Sequence, residues 1–280
     1  MKGLIRTIPL ILVVVVTAHL PLTARAADFA GLEGNPGLRS ASALVTNSEG
    51  AIIYGKDVDT VRPIASITKL MTAMVILDSG LDLGEKITVT REDRDMVQLT
   101  GSRLEYGATL SRREMILLSI MSSENRAATA LGRNVPGGMS KFIEQMNRKA
   151  QQLGMSSSHF ADPAGLRAEN VSTARDLTKM IMAAYEYPLI REASTTTRLE
   201  VYPYKKRGPL TYGNTNRLLK NETWDIALSK TGYINEAGRC LVMRATIEGE
   251  PVSIVLLNSF GKLTPFGDSN RLRKWMLASG

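Results

Sequence analysis

Cysteine and histidine are scarce in this sequence, which excludes several kinds of catalytic and metal site. The chain of 280 residues has one cysteine, Cys240, and two histidines. A single cysteine allows no internal disulfide and no thiol-rich metal site. Because Cys240 lies in an apolar run, we expect it to be a small buried hydrophobe.

The two histidines offer little to either a zinc site or a catalytic triad. His19 lies in the N-terminal leader described below, so His159 is the histidine left for chemistry. A zinc site would have to combine it with carboxylates alone, and a Ser-His-Asp triad would have to pass through it. His159 follows three serines in a predicted loop, where a surface or loop-packing role is simpler. If the chain is a hydrolase, its base is predicted to be another residue.

Acidic residues are fewer than basic ones, with 27 Asp and Glu against 35 Lys and Arg. The basic residues are spread along the chain, and only Lys205-Lys206-Arg207 forms a short cluster. Short basic clusters are common on solvated faces, so nucleic acid is not an expected partner. An anionic cell-wall or membrane surface would suit the same charge.

The long apolar run of this chain lies at its N-terminus, where the pattern is typical of an export signal. Lys2 and Arg6 precede the apolar residues 8–18, and Ala24-Arg25-Ala26 has the small-x-small form of a cleavage site. The run is about half of the ~20 residues that a membrane span needs, which disfavours an uncleaved anchor helix. We expect residues 1–26 to be a signal peptide.

The remaining chain shows no second long apolar stretch, no internal repeat and no low-complexity linker. We expect residues 27–280 to form one catalytic domain with no C-terminal accessory domain. Export would place it in the periplasm or another extracytoplasmic space, with at most peripheral membrane contact.

The order of predicted elements indicates a mixed α and β domain. The predicted elements are a hairpin at residues 42–46 and 51–54, a helix after Pro63, a helix at the capping box Ser111-x-x-Glu114, helices at 139–153 and 173–185, strands at 240–247 and 252–258, and a final helix at 268–277. Strands at both ends imply that the two ends meet in one sheet. The predicted fold class is α/β (α+β): a mainly antiparallel sheet flanked by helices, with an inserted helical region.

Ser66-Ile67-Thr68-Lys69 is the first candidate catalytic motif. Residues three apart share a helix face, so the Lys69 amine can lie beside the Ser66 hydroxyl. A lysine with a lowered pKa can serve as the base that a serine nucleophile needs. Alone, the pattern is equally typical of a helix N-cap followed by a solvated lysine.

Ser123-Glu124-Asn125 lies between a predicted helix and the apolar run 127–131. A hydroxyl and an amide two residues apart in a turn can both face a cleft, one relaying protons and one binding a substrate amide. By itself this sequence is also an ordinary helix cap.

Lys230-Thr231-Gly232 follows an apolar segment and is predicted to lie on a strand edge. Lys230 supplies positive potential and Thr231 a hydroxyl, both suited to a substrate carboxylate. Gly232 would let a substrate backbone approach and pair with the strand. The alternative is an ordinary strand end followed by a turn.

Together and in this order, the motifs match the set known for penicillin-binding proteins and class A β-lactamases. Over roughly residues 36–260 the chain resembles the low-molecular-weight penicillin-binding protein, or D-alanyl-D-alanine carboxypeptidase, family. Glu124 and residues 214–218 most resemble its D-alanyl-D-alanine endopeptidase branch, the penicillin-binding protein 7 type. The segments that carry the resemblance are residues 65–73, 121–128, 162–166 with Asn170, 172–174, and 230–233 leading into 235–239.

The resemblance implies a β-lactamase/DD-peptidase-like fold and a serine-type D-alanyl-D-alanine peptidase acting on peptidoglycan stem peptides and cross-links. The implied catalytic residues are Ser66 as nucleophile, Lys69 as base and Ser123 as proton relay. Implied substrate-binding residues are Asn125, Lys230, Thr231, Gly232 and Tyr233, with the amides of Ser66 and Tyr233 as oxyanion hole. β-Lactams are expected inhibitors, and no metal or organic cofactor is needed.

Other functions of the same fold stay open at this point. A class A β-lactamase would need a Glu-x-x-Leu-Asn stretch, which the sequence lacks. A penicillin-sensing or binding module that acylates without turnover is a further alternative. An unrelated serine esterase is disfavoured because Gly-x-Ser-x-Gly is absent. Endopeptidase and carboxypeptidase share the same bond chemistry, so the motifs do not separate them.

Overall fold

A five-stranded antiparallel sheet forms the centre of the fold, with strand order β2-β1-β11-β10-β9. The structure is a computed structural model and describes Phe29 and residues 31–279. The predicted signal peptide, residues 1–26, lies outside the described residues. The strands are, in chain order, β1 (Ser42–Thr46), β2 (Ile52–Lys56), β3 (Arg62–Pro63), β4 (Lys86–Thr88), β5 (Thr109–Ser111), β6 (Val171–Ser172), β7 (Arg198–Val201), β8 (Leu210–Gly213), β9 (Asp225–Ile234), β10 (Gly238–Ile247) and β11 (Glu250–Ser259).

Most of the helices lie between β3 and β7 in the sequence, as the predicted inserted region requires. They are α1 (Thr68–Asp78), α2 (Arg112–Met121), α3 (Asn125–Arg133), α4 (Gly138–Gln152), α5 (Ala174–Tyr185), α6 (Pro188–Thr195) and the C-terminal α7 (Thr264–Ser279). The predicted fold class is confirmed. The chain ends meet in one sheet because β1 pairs with β11, with Leu44 opposite Val255.

Local sequence signals account for several of these boundaries. Ser111 accepts a hydrogen bond from the Glu114 amide, and the Glu114 side chain bonds back to Ser111, so the predicted capping box starts α2. Thr173 caps α5 in the same manner through the amide of Asp176. The predicted hairpin is the β1–β2 pair.

The final helix begins four residues before the predicted start at Asp268. In the sequence, Pro265 and Gly267 are typical of a loop, so the first turn of this helix was not recognised. Proline is tolerated in the first helical turn, however, because the amide hydrogen it lacks would have no partner within the helix there. The short helix α6 and the two-stranded ribbons β4–β5 and β7–β8 were not predicted, because they are too short to show a clear periodicity.

Both faces of the central sheet are buried. On β10, Leu241 and Met243 pack with Leu272 and Met276 of α7 on one face. Val242, between them, packs on the other face against the large core that contains α1, α2 and α5. Burying one such side chain contributes about 1.5–3 kcal/mol. The sheet is therefore the middle layer between α7 and the helical region.

Asp268 joins the segment before β1 to α7. Its buried carboxylate accepts hydrogen bonds from the amides of Arg39 (3.1 Å) and Ser40 (2.7 Å) and pairs with Arg271. Burial opposes its ionisation, but these hydrogen bonds outweigh that effect and hold the pKa of Asp268 below its ordinary value. The carboxylate thus holds the two chain ends of the domain together.

Replacing Asp268 with alanine should destabilise the protein by about 2–4 kcal/mol, because buried amides would lose their acceptor. Urea unfolding followed by circular dichroism measures the loss. The control is Asp59→Ala, which breaks the exposed pair with Arg175 and should cost less than about 1 kcal/mol. Equal losses in the two variants would contradict the role given to Asp268.

Candidate active site

Ser66 lies in a short 3₁₀ turn, Ala65–Ile67, that leads directly into α1. Ala65 has a φ of 48°, a left-handed conformation that is unusual for a residue with a side chain. Such strain is often found where a structure holds a functional group in a fixed place. The turn presents the half-buried Ser66 hydroxyl at the N-terminal end of α1.

Lys69 is fully buried one helical turn further on, and its amine lies 2.8 Å from the Ser66 hydroxyl oxygen. The same amine donates to the side-chain carbonyl of Asn125 at 2.8 Å and to the backbone carbonyl of Ala164 at 2.6 Å. A neutral amine has two N–H donors and one lone pair. With both donors engaged, the lone pair is left to face the Ser66 hydroxyl, which is the arrangement of a general base.

Burial is also what suits Lys69 to this role. Loss of water disfavours the charged amine and lowers the pKa of Lys69 to about 7, against the opposing attraction of Asp162, Glu124 and Asp95. Near neutral pH a large fraction of the amine is therefore free to accept a proton. The neutral state is not a property of the motif, since an exposed lysine would stay charged.

The Ser123-Glu124-Asn125 turn joins α2 to α3 and faces Ser66. Ser123 has a φ of 60°, and Glu124 caps α3 by accepting from the Arg126 amide. Asn125, the first residue of α3, also donates from its side-chain nitrogen to the Thr100 hydroxyl at 2.8 Å. The left-handed residue thus turns the Ser123 hydroxyl towards the cleft while the Asn125 amide is fixed on both sides.

Lys230, on the edge strand β9, directs its amine at the Ser123 hydroxyl, 3.0 Å away. The amine also donates to the carbonyl of Thr231, and the side chain is 1% exposed. Burial, together with the nearby charge of Lys69, keeps the pKa of Lys230 well below its ordinary value. Its position favours proton exchange with Ser123, and its burial leaves the amine out of contact with solvent.

Gly232 allows β9 to pass directly against the segment that carries Ser66. A Cβ atom at Gly232 would lie 2.8 Å from the carbonyl oxygen of Ile64 and 3.1 Å from the Ser66 amide nitrogen. No larger residue fits there without moving the backbone. Because Gly232 has no side chain, the two backbones can approach closely. The Ser66 amide and the amide of the next strand residue, Tyr233, therefore lie at the same end of the cleft.

The cleft has a volume of about 360 Å³. Arg239, on β10, lies opposite Tyr233 in the sheet, and its guanidinium stacks on the tyrosine ring at 3.6 Å. Within the described residues Arg239 forms no salt bridge, so its charge is available to the cleft. The cleft is lined by Ser66, Ser123, Asn125, Thr215, Thr231, Gly232, Tyr233, Arg239, Cys240, Lys262, Pro265 and Phe266.

The structure brings all eight residues singled out from the sequence to one cleft or its immediate wall: Ser66, Lys69, Ser123, Asn125, Lys230, Thr231, Gly232 and Tyr233.

Sequence reasoning missed three contributors to this site. The Ala164 carbonyl holds Lys69, the Thr215 hydroxyl accepts from Thr231 at 2.7 Å, and the half-buried Arg239 supplies a cation to the cleft. Each lies in a segment that carries the family resemblance, and this was the signal that could have found them. A backbone carbonyl has no sequence signature, however, and the other two reach the cleft through sheet and loop pairing.

Cys240 and His159 take the structural roles expected of them. Cys240 is 2% exposed, and burial raises the pKa of its thiol to about 11, so it is a buried hydrophobe. His159 is exposed, and its backbone pairs with Val171 in an isolated β-bridge. In the part of the chain that the structure describes, no group of three or more His, Cys, Asp or Glu side chains could hold a metal ion. The helices in that part are too short or too polar to cross a membrane.

Solved structures with the same fold include a DD-transpeptidase and a penicillin-binding protein. The Streptomyces K15 DD-transpeptidase superposes with a TM-score of 0.81 at 29% identity, covering 88% of this chain and all of that one. Listeria monocytogenes penicillin-binding protein D2, in its cefotaxime-bound form, gives a TM-score of 0.76 at 28% identity, with coverage of 88% and 100%.

Sequence relatives agree with the structural ones. The D-alanyl-D-alanine endopeptidase of Pseudomonas aeruginosa is 49% identical over 88% of this chain and 80% of its own length. The Escherichia coli protein of the same name is 46% identical, with coverage of 86% and 78%. A family profile described as D-alanyl-D-alanine carboxypeptidase matches residues 32–261. With these matches and the Ser66–Lys69 geometry, the chain belongs to the D-alanyl-D-alanine carboxypeptidase family of serine peptidases.

Proposed function

We propose that this protein is a serine-type D-alanyl-D-alanine endopeptidase that cuts peptidoglycan cross-links through an acyl-enzyme on Ser66. The observation that carries the proposal is the 2.8 Å contact between the Ser66 hydroxyl and a buried lysine amine. The endopeptidase assignment is supported by the names of relatives that are 46–49% identical. Removal of a terminal D-alanine uses the same chemistry and is the accompanying activity.

Acylation begins with proton transfer from the Ser66 hydroxyl to the neutral amine of Lys69. The serine oxygen attacks the D-alanyl carbonyl, and a new O–C bond forms. The negative charge that develops on the carbonyl oxygen is stabilised by the backbone amides of Ser66 and Tyr233. Asn125 keeps one side-chain N–H free of its contacts with Lys69 and Thr100, and this N–H holds the substrate amide.

The C–N bond breaks when the leaving amine receives a proton. Ser123 donates it and is reprotonated by the proton that Lys69 took from Ser66, a transfer supported by the Lys230 amine 3.0 Å from Ser123. Lys69, now neutral again, takes a proton from the water that attacks the ester and returns it to the Ser66 oxygen as the acid leaves. Net chemistry is hydrolysis of one D-alanyl amide, with all groups returned to their starting state.

The substrate carboxylate next to the cleaved bond is assigned to the exposed side of β9 and β10. Thr231 offers a hydroxyl there, and Arg239 offers the unpaired cation that the buried Lys230 does not. Arginine suits this task because its planar fork can hold both carboxylate oxygens. β-Lactams, which imitate the D-alanyl-D-alanine end, are the expected covalent inhibitors.

The substrate also implies the compartment. Peptidoglycan lies outside the cytoplasm, so we place the protein in the periplasm or an equivalent space, as the export signal in residues 1–26 predicts. Residues 27–280 would then be the mature catalytic domain.

Fluorescent penicillin should label the wild-type protein covalently, and Ser66→Ala should abolish the label. Mass spectrometry of digested cross-linked muropeptides should show monomers released by the wild type only. The matched control is Ser79→Ala, a serine at the far end of α1 that should change neither result. Labelling that persists in Ser66→Ala would overturn the nucleophile assignment, and labelling without monomer release would favour a sensing module.

The rate of penicillin acylation should rise with pH and reach half of its plateau near pH 7. Protonated Lys69 cannot accept the serine proton, and burial lowers its pKa to about 7, so the active fraction grows as pH increases through that value. Stopped-flow acylation between pH 5 and 9 measures the profile. A rate that falls as pH rises through 7 would contradict a neutral lysine base.

Arg239→Gln should raise KM for muropeptide substrates about tenfold or more, with a smaller effect on kcat, because a charge-assisted bond to the substrate carboxylate is lost. Product release measured by mass at several substrate concentrations gives both constants. Arg244→Gln is the matched control: Arg244 lies on the same strand but stacks on Tyr185. A KM unchanged in Arg239→Gln would remove Arg239 from the substrate site.

A further inference from the structure

The loop of residues 161–170, which supplies the carbonyl that holds Lys69, is organised around one carboxylate. One oxygen of Asp162 accepts from the amides of Ala164 and Gly165, each at 2.7 Å. The other accepts from the amide of Arg167 at 2.8 Å and from the side-chain nitrogen of Asn170 at 2.6 Å. Such a set of donors fixes the path of the loop around the charge.

Asn170 links this loop to the segment that precedes Ser66. It is fully buried, and its side-chain oxygen accepts from the Ala161 amide at 3.0 Å. Its backbone carbonyl accepts from the amide of Ile64, two residues before Ser66, also at 3.0 Å. The loop is therefore attached directly to the turn that carries the nucleophile.

Further contacts hold the loop against α1. The Thr72 hydroxyl donates to the carbonyl of Pro163 at 2.7 Å. Gly165 has a φ of 75°, and a Cβ there would lie 2.0 Å from the Ala65 carbonyl oxygen. The loop and the Ser66 turn are packed with no space between their backbones, so a shift of one moves the other.

Ala164, between these fixed points, decides which way the Lys69 amine faces. Its carbonyl takes one N–H of Lys69 at 2.6 Å and lies 3.4 Å from the Ser66 hydroxyl oxygen. If this carbonyl moved away, the amine could turn an N–H instead of its lone pair towards Ser66. A displacement of about 1 Å in such a contact can reduce a rate by a factor of about 100.

Charges on each element around Lys69 also act on its proton. Asp162 faces it from the loop, Glu124 from the α2–α3 turn and Asp95 from the segment before α2, and all favour the charged amine. Lys230, on β9, also faces this amine, and the charge of Lys69 lowers the pKa of Lys230. Among the favourable contributions, that of Asp162 is the largest.

We propose that Asp162 is a positioning residue for Ser66 acylation: it shapes the 161–170 loop so that the Ala164 carbonyl orients the Lys69 amine, and its charge assists proton uptake by that amine. The inference rests on the proposed function, because it assumes that Lys69 is the base for Ser66. Asp162 itself touches neither Ser66 nor the substrate cleft.

The test is the pH profile of penicillin acylation in Asp162→Asn. Without the carboxylate charge, Lys69 is harder to protonate. The acid limb, which is the part of the profile where the acylation rate rises with pH, should therefore move to lower pH by roughly 0.5–1 unit. The plateau rate should also fall about tenfold or more, because the amide places a donor where Arg167 and Asn170 need an acceptor. A loss of stability alone would lower the amount of active protein without moving the limb.

Asn170→Ala separates charge from geometry. It loosens the loop but keeps the carboxylate, so the plateau should fall several-fold while the acid limb stays in place. The control is Asp176→Asn, a buried carboxylate that accepts from the Ser157 amide at 2.8 Å, far from the cleft. This variant should keep the wild-type profile in full, apart from a lower melting temperature.

If the wild type is acylated on Ser66 but Asp162→Asn leaves the acid limb unshifted, the inference is overturned and the proposed function stays intact. The same holds if Asp176→Asn shifts the limb equally. If Asp162→Asn does not fold, Asn170→Ala decides: a wild-type plateau overturns the inference and a several-fold loss supports it. A wild-type protein that is never acylated would instead refute the proposed function itself.

Discussion

The enclosure of the Lys69 amine is the constraint on which the rest of the site depends. A lysine in water is charged at neutral pH and useless as a base. Here the side chain is fully buried, and two fixed acceptors, Asn125 and the Ala164 carbonyl, take its N–H groups. Desolvation lowers its pKa to about 7, and the two acceptors turn the remaining lone pair to Ser66. Activation of Ser66 thus depends on the burial of Lys69 as much as on the closeness of its amine.

The fold supplies that enclosure from several directions. α1 carries the serine and the lysine, the α2–α3 turn closes one side, the 161–170 loop covers another, and β9 forms the remaining wall. Close backbone contacts at Gly165 and Gly232 leave no space in which these parts could slide. Because the sheet is buried on both faces, its edge strand is a rigid surface against which the site is built. Rigidity of this kind is what preorganised catalysis requires.

Local signals made much of this architecture predictable. The Ser111 capping box and the hairpin at β1–β2 appeared where short-range chemistry specified them, and the meeting of the chain ends followed from element order. Helix spacing put Ser66 and Lys69 on one face. Asn125 meets Lys69, and Lys230 meets Ser123, through contacts between distant parts of the chain. The start of α7 was misplaced since a proline in a first turn looks like a loop residue. The short helix α6 depends on packing and carries no periodic signal of its own.

The sequence by itself determined which side chains could do chemistry, since the scarcity of histidine and cysteine left the Ser66–Lys69 pair as the natural nucleophile and base. It also determined the helical spacing that puts the two on one face. Only the tertiary structure decided that the pKa of Lys69 is lowered to about 7 and that its amine points at Ser66. It also decided that Lys230 contacts Ser123 and that Arg239 lines the cleft. The physical reason is that protonation and orientation depend on burial and on distant backbone groups, and neither is encoded in a short motif.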